Sequence, residues 1–200
     1  METLGELSLA VGDVVVYAGH GVGRVAKRGD QSVVVEFATN GLTVILPLER
    51  ALASIRRVSS ETELVGVGRA LGAADPDIHS DWQRRLKATK AKLIDGEALS
   101  LAEVIRDASR REERASARNE PGKLSVTERQ LYLRARLLLA NEVGASRGID
   151  PAHADEWITE QLAANADQNR VPLTPDVTRF NRQLVASAEP FGNRARRRRP

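Results

Sequence analysis

Cysteine is missing from this 200-residue chain, and aromatic side chains make up only 4% of it. The absence of cysteine excludes disulfides, thiol catalysis and cysteine-based zinc fingers. With three Phe, two Trp and two Tyr, any core must be built from Leu, Val, Ile and Ala. We therefore expect a protein of the cytoplasm, where thiol cross-links are not used for stability.

The sequence also lacks a long apolar run. Its first residues, Met1 to Glu6, contain neither the basic segment nor the apolar segment of a secretory signal. Elsewhere no apolar run approaches the roughly 18 residues needed to span a bilayer. We expect a chain that is neither secreted nor membrane-spanning.

Most of the chain also lacks a large net charge. The net charge is +3, but residues 171–200 hold seven Arg against Asp176 and Glu189, a net +5, which leaves −2 for the rest. The basic character therefore belongs to the tail and does not by itself indicate nucleic-acid binding. We predict residues 169–200 as a basic disordered tail, with a marginal helix at residues 177–186.

Short runs rich in β-branched side chains, typical of strands, fill the region up to residue 58. Turn signals separate these runs, and the last of them, Asn40-Gly41, suits a type I′ hairpin turn. Four strands are predicted, at Val14–Tyr17, Gly23–Ala26, Ser32–Phe37 and Thr43–Leu46. They indicate a small, strongly bent antiparallel barrel as domain 1–58. So small a barrel buries little surface, and we expect it to pack against the segment that follows.

After Pro47 the hydrophobic period changes from two residues to that of a helix. Capping boxes, in which a Glu three residues after a Ser bonds back to it, mark three helix starts. These boxes are Ser60-Glu63, Ser100-Glu103 and Ser125-Glu128. Five helices are predicted, over residues 60–71, 82–94, 100–117, 125–143 and 150–166. Residues 59–168 are therefore expected to form an all-α domain, which makes the chain α+β.

Sequence patterns for catalysis and metal binding are missing. The histidines, His20, His79 and His153, lie in separate predicted segments without the spacing of metal ligands. The glycine-rich segment 19–23 joins two strands, so it lacks the helix N-terminus that a phosphate site needs. No nucleophile elbow, P-loop or paired-carboxylate arrangement occurs. We expect a binding protein with no catalytic residue, no metal and no cofactor.

The predicted helix 82–94 carries the strongest signal, since it has five cations and no acid until Asp95. These cations are Arg84, Arg85, Lys87, Lys90 and Lys92. At about 100° per residue, Arg84, Arg85 and Lys92 are predicted to share one side, with Lys87 and Lys90 on another. The only apolar stripe is formed by Trp82, Leu86 and Leu93.

Two interpretations of Trp82 compete. In the first, the ring is a core residue of the apolar stripe and the basic face is merely solvated. In the second, the ring is exposed at the start of the helix, where it stacks on or wedges between bases while the cations bind phosphates. A fork or single-strand junction is then the natural target.

Six short motifs follow one another in a distinctive order. They are VGDVVVY at 11–17, HGVGRV at 20–25, LTVILP at 42–47, DWQRRLK at 81–87, AEVIRD at 102–107 and LSVTER at 124–129. Over about residues 9–165, this order resembles the CarD/CdnL family of bacterial transcription regulators. The opening motif alone also occurs in the transcription-repair coupling factor, but this chain lacks the helicase motifs of that larger protein.

The resemblance implies an N-terminal Tudor-like barrel that binds the lobe of the RNA polymerase β subunit. It also implies a helical domain that contacts promoter DNA at the upstream edge of the transcription bubble. There the family's Trp, matched by Trp82, wedges into the minor groove and slows bubble closure. We expect a monomer, nucleoid-associated through RNA polymerase and without contact to a membrane.

Basic pattern and resemblance together give two sets of candidate site residues. The DNA-binding set is Trp82, Arg84, Arg85, Lys87 and Lys90. The polymerase-binding set is Arg28, Thr43, Val44, Ile45 and Leu46. The last four are placed on a bent sheet edge whose unpaired backbone groups suit strand addition. Ile45 stands where family members often carry a basic residue.

Two functions of different classes follow from these observations. One is a promoter regulator that binds polymerase, acts through Trp82 and stabilises the open complex. The other is a protein-interaction adaptor that does not bind DNA, in which the barrel docks on polymerase or another partner and the helices recruit a third protein. A buried Trp82 favours the adaptor, and an indole exposed beside Arg84 and Arg85 favours the regulator.

Overall fold

Five short strands form one antiparallel sheet in the N-terminal part of the chain. The computed structural model describes residues 9–39, 41–74, 81–117 and 124–164. The strands are β1 (Val14–Tyr17), β2 (Gly21–Arg28), β3 (Ser32–Phe37), β4 (Leu42–Pro47) and β5 (Ile55–Arg57). Their spatial order is β4-β3-β2-β1-β5, so β4 and β5 are the edge strands. The four predicted strands are confirmed, and β2 is longer than predicted.

Alternation of buried and exposed side chains gives the sheet its own core. Val33, Val35 and Phe37 of β3 point inward, as does Val25 of β2, and Leu9 covers them before the first strand. This spacing of two residues is what a strand with one buried face requires. We call β1–β5, with the residues that connect them, the β domain.

Two elements of the β domain were not predicted from the sequence. They are the helix α1 (Leu48–Ser54) and the strand β5 that follows it. At seven and three residues they are too short to establish a period, and α1 has no side-chain cap. Tertiary contacts define them instead, because Ala51 is buried in the core and β5 pairs with β1.

The connection between β3 and β4 differs from the predicted hairpin turn. Phe37 pairs with Leu42, so four residues connect the strands rather than the two of a type I′ turn at Asn40-Gly41. Asn40 itself lies outside the described residues. The register is set by the pairing of the buried valines of β3 along the ladder.

Five helices follow and pack around a second core of aliphatic side chains. They are α2 (Glu61–Gly72), α3 (Trp82–Asp95), α4 (Ala98–Ala117), α5 (Val126–Arg147) and α6 (Pro151–Ala164). Members of the core include Leu64, Leu101, Ile105, Leu139 and Ile158, with Trp157 packed against them. We call α2–α6 the helical domain. Together with the sheet, they confirm the α+β class.

Two of the three predicted capping boxes are confirmed, and one is wrong. Reciprocal bonds between Ser60 and Glu63 open α2, and the pair Ser125 and Glu128 opens α5 in the same way. Ser100, however, lies inside α4, which begins at Ala98. The first helical bond there runs from Leu101 N–H to the Glu97 carbonyl at 2.9 Å. Ser100 is therefore already inside the helix and cannot act as its N-cap.

Helix α5 is longer than predicted. It continues through Gly144 to Arg147, and Gly148 ends it in the left-handed conformation that is typical of helix C-caps. The predicted cap of α6 is confirmed, since the Asp150 carboxylate accepts the Ala152 and His153 N–H groups ahead of the helix.

The β domain packs against the helical domain, as expected for so small a sheet. Gly21 at the start of β2 lies against Leu138 of α5 so closely that a Cβ on this glycine would be 2.8 Å from the leucine Cδ2. Two α5 side chains reach turns of the β domain: Arg134 donates to the Gly19 carbonyl at 2.5 Å, and Asn141 donates to the Thr39 hydroxyl at 3.1 Å. All described residues belong to one compact unit.

Several predictions fall on residues outside the described ranges, including the tail 169–200 and its helix at 177–186. Within those ranges, no helix combines the length and apolarity that crossing a bilayer requires. The same part of the chain contains no group of three His, Asp or Glu side chains arranged to hold a metal ion.

Candidate nucleic-acid and polymerase interfaces

Helix α3 presents Trp82 at its first turn. The Asp81 carboxylate caps the helix by accepting the Gln83 N–H at 3.0 Å. Along the apolar stripe, Leu93 is buried and Leu86 is half-buried, but Trp82 is 43% exposed. The indole therefore lies at the end of the packed stripe rather than inside the core.

The structure divides the five cations of α3 between two faces. Arg84 is 75% exposed, and Lys87 and Lys90 are exposed as well. Within the described ranges, Lys87 and Lys90 form no ion pair, and Arg84 meets the neighbouring Asp81 at 3.6 Å. We call these three exposed cations the outer cations.

Arg85 faces inward, although the sequence predicted that it shares a side with Arg84. It is 20% exposed, and its guanidinium lies 3.9 Å from the carboxylate of Glu128, the first-turn Glu of α5. Arg111 of α4 donates to the same carboxylate at 2.5 Å. Arg85 is thus an internal cation that ties α3 to its neighbours.

Lys92 also faces the helical domain rather than the side of Arg84. Its ammonium lies 2.8 Å from Glu103 and 3.8 Å from Asp107, both on α4. The predicted side of Arg84, Arg85 and Lys92 is therefore not formed. The pattern of cations alone could not separate these residues, because the separation depends on acids of α4 and α5 that lie elsewhere in the sequence.

The carboxyl of Glu128, at the contact between α3, α4 and α5, ionises more readily than an ordinary glutamate. Burial raises the pKa of this carboxyl, but hydrogen bonds from Arg111 and Ser125 lower it by more, so the net shift is below the ordinary value. The sequence identified Glu128 only through its capping box. No sequence signal pointed to Arg111, whose role depends on tertiary packing.

The predicted polymerase-binding strand β4 lies at an edge of the sheet. It pairs with β3 on one side, and no other described strand pairs with it. Ile45 is 69% exposed and Thr43 is also exposed, whereas Leu46 is buried and Val44 half-buried in the core. A partner can therefore touch the side chains of Thr43 and Ile45, but only the backbone of Val44 and Leu46.

Arg28 lies apart from this edge. It belongs to β2, which β3 separates from β4, and its guanidinium donates to the Leu9 carbonyl at 2.5 Å. The structure thus brings together four of the five predicted polymerase contacts on β4 and places the fifth two strands away.

Comparisons with known proteins match most of the described chain. Residues 9–59 match the family model described as CarD-like/TRCF RID domain, and residues 66–159 match the model described as CarD, C-terminal domain. A curated relative, "Putative transcription factor YdeB" of Bacillus subtilis, is 26% identical over 148 residues, which cover 70% of this chain and 92% of the relative. The two matched models follow each other in the order of the β and helical domains.

Proposed function

We propose a function for this chain from the premise that it belongs to the CarD/CdnL family. It is accordingly a transcription factor of a type that interacts with RNA polymerase. Our more specific proposal is that the β domain binds the lobe of the polymerase β subunit. The helical domain then contacts promoter DNA at the upstream edge of the bubble and stabilises the open complex.

The exposed indole of Trp82 is the observation that carries this proposal. An exposed Trp alone could also anchor a protein partner, but this one begins a helix whose exposed side chains include Arg84, Lys87 and Lys90, which suits the phosphates of DNA. A DNA-contacting regulator needs this arrangement, because aromatic rings stack on unpaired bases and wedge between base steps. The 43% exposure of the indole beside the outward Arg84 therefore favours the regulator, although Arg85, the second cation named for this distinction, faces inward.

The outer cations supply the second half of the mechanism. Arg84, Lys87 and Lys90 carry positive charge on the same helix as Trp82, and phosphate groups bound there hold the duplex against α3. Contacts to phosphates position the ring without reading sequence. A ring inserted at the bubble edge then stabilises the unstacked step by roughly 1–3 kcal/mol, which slows closure of the bubble.

We assign polymerase docking to the edge of β4. Its outward backbone groups accept an added strand, and the exposed side chain of Ile45 adds an apolar contact. Arg28, on β2, contributes only if the partner extends beyond the edge. This assignment makes the β domain the docking module and the helical domain the effector.

Further parts of the proposal follow from the family. We propose a binding function without a catalytic step, a monomer as the active form, and action at the nucleoid in the cytoplasm. We also propose that residues 1–58, 59–168 and 169–200 act as polymerase-binding domain, DNA-contacting domain and basic tail.

The lifetime of the open complex tests this proposal. Trp82→Ala should shorten the lifetime of a polymerase–promoter open complex while changing the melting temperature little, because the ring is not part of the core. Trp157→Ala is the matched control: Trp157 packs against the helical core, so its loss should lower the melting temperature by several degrees and leave the lifetime intact at a permissive temperature. A large melting drop in Trp82→Ala, with no specific loss of lifetime, would contradict the wedge.

A further inference from the structure

One arginine connects the β domain to two helices of the helical domain. Arg56 of β5 forms a two-pronged ion pair with Glu142 of α5, with nitrogen–oxygen distances of 2.5 and 2.8 Å. Glu142 is 1% exposed, which makes it a fully buried acid. Arg56 keeps 24% of its side chain exposed, but a fully buried carboxylate is stable only when its partner is held in place, so the pair fixes β5 against α5.

Further hydrogen bonds extend the contact to helix α3. The Glu142 carboxylate also accepts the Ser59 hydroxyl at 2.6 Å and the Ser59 N–H at 3.2 Å. On the other side, the Arg56 guanidinium donates to the Gly96 carbonyl at 2.8 Å. Gly96 is the C-cap of α3, so one side chain of the β domain holds both α5 and the end of the helix that carries Trp82.

The end of α3 is also held by direct packing against the β domain. Gly96 has a left-handed φ of +68°, and a Cβ at this position would lie 3.1 Å from the Cα of Ala18 in the β1–β2 turn. Only glycine satisfies both the conformation and the close approach. Arg56 and the β1–β2 turn therefore tie the C-terminal end of α3 to the β domain, while Trp82 lies at the opposite, exposed end of the helix.

We propose that Arg56 is a positioning residue which, through Glu142 and Gly96, fixes the direction of α3 relative to the β domain. This inference rests on the proposed function, because a fixed direction matters when one domain is docked on polymerase and the other must reach DNA. Two binding modules held rigidly have a high effective concentration for the second contact, and loss of rigidity lowers it without removing any contact.

A purely structural role predicts something different from a positioning role. If the ion pair only stabilises the fold, its loss lowers the melting temperature and leaves the distance between the domains unchanged below that temperature. If it positions α3, the distance distribution broadens while each domain stays folded and each binding surface stays intact. The distance between two labels separates these roles.

The absence of cysteine in the chain makes the labelling direct. Asp30→Cys, in the β2–β3 turn, and Ala91→Cys, on the exposed side of α3, take nitroxide labels for pulsed electron spin resonance on the full chain. The test variants are Glu142→Gln, which removes the buried charge, and Arg56→Lys, which keeps the cation but has a single nitrogen and so cannot form the two-pronged pair with Glu142. The control is Glu61→Gln, which breaks the ion pair with Arg147, at 2.6 Å, inside the helical domain.

We expect a narrow distance distribution in the wild type and in Glu61→Gln, and a broadened one in both test variants. Distributions as narrow as that of the wild type in both test variants would overturn the inference. If Glu142→Gln fails to melt cooperatively, Arg56→Lys alone decides, because its charge balance is unchanged.

Function is measured in parallel on the same variants. Both test variants should still bind polymerase, and should still bind DNA in the absence of polymerase. They should lose most of their effect on the lifetime of the open complex, which should approach the lifetime seen with Trp82→Ala. An unchanged lifetime in a variant with a broadened distribution, when Trp82→Ala does shorten it, would overturn the inference. If Trp82→Ala itself has no effect, the proposed function fails, and the distance distributions still decide whether Arg56 sets the direction of α3.

Discussion

The guanidinium of Arg85 lies 3.9 Å from the carboxylate of Glu128, so one of the predicted DNA contacts faces the helical domain. Its sequence neighbour Arg84 points away from that domain and is 75% exposed. Adjacent residues on a helix are separated by about 100° around its axis, and here that rotation divides a structural cation from a surface cation. The two arginines therefore form a matched pair for experiment.

Alanine substitutions of these two arginines should affect different properties, stability for Arg85 and DNA binding for Arg84. Arg85→Ala should lower stability by about 1 kcal/mol, since it removes an ion pair with Glu128 and the packing of a partly buried side chain, and should lower the melting temperature by about 2–4 °C. Arg84→Ala should leave the melting temperature unchanged and reduce the slope of log affinity for DNA against log salt by about 1. Thermal melts and DNA titrations at several salt concentrations measure both. A DNA defect in Arg85→Ala equal to that in Arg84→Ala would place Arg85 among the contacts.

The edge of β4 should be sensitive to charge on its outward face. Ile45→Glu is expected to weaken polymerase binding strongly, because a carboxylate at an apolar, partly desolvated contact lacks a partner there. Val11→Glu provides the control: it places the same charge at another exposed apolar residue, just before β1. Pull-down with purified polymerase measures the difference. Equal binding by the two variants would move the docking site away from β4.

Local signals in the sequence were sufficient for most of the fold. The alternation of valines predicts β3, the capping boxes predict the starts of α2 and α5, and Asp150 predicts the start of α6. Each of these signals lies within a few residues of the structure it predicts. The helix start at Ser100 failed because Gly96 ends α3 close enough for α4 to begin at Ala98, which leaves the serine inside the helix.

The candidate site could be predicted only in part, and for a physical reason. That α3 is basic and begins with Trp82 is readable from the sequence, since composition and helical period suffice. Which cations face outward depends on Glu128, Glu103 and Asp107, which the fold brings to α3 from other helices. The pairing of Arg56 with Glu142 is equally nonlocal and has no sequence pattern.

The basic tail should add DNA affinity without adding function at the promoter. Residues 171–200 contain seven arginines, and each arginine bound to a phosphate releases counterions and makes affinity fall with salt. Deletion of these residues should therefore weaken nonspecific DNA binding and flatten its salt dependence, while the open-complex lifetime at physiological salt stays nearly unchanged. Loss of that lifetime on deletion would show that the tail takes part in promoter opening.

Acid should weaken the contact at Glu128. Its folded pKa lies below its ordinary value of 4.5, so the folded state binds protons less readily than the unfolded state. The stability that the carboxylate contributes is therefore fully present above about pH 4.5 and is lost as pH falls through the lower, folded pKa. Glu128→Gln lacks this contribution at every pH. Its melting temperature should lie below that of the wild type at neutral pH, and the gap should narrow as pH falls below about 4.5.

The partner of Glu128 supplies the control for this prediction. Arg111 donates to the carboxylate at 2.5 Å and is a main reason that its pKa is lowered. In an Arg111→Gln background the folded pKa of Glu128 moves back toward its ordinary value, so the further change Glu128→Gln should alter the pH dependence much less. Melts of all four proteins between about pH 3 and pH 7 form a double-mutant cycle. A gap between wild type and Glu128→Gln that stays constant over this range would mean that the carboxylate contributes through packing rather than through its charge.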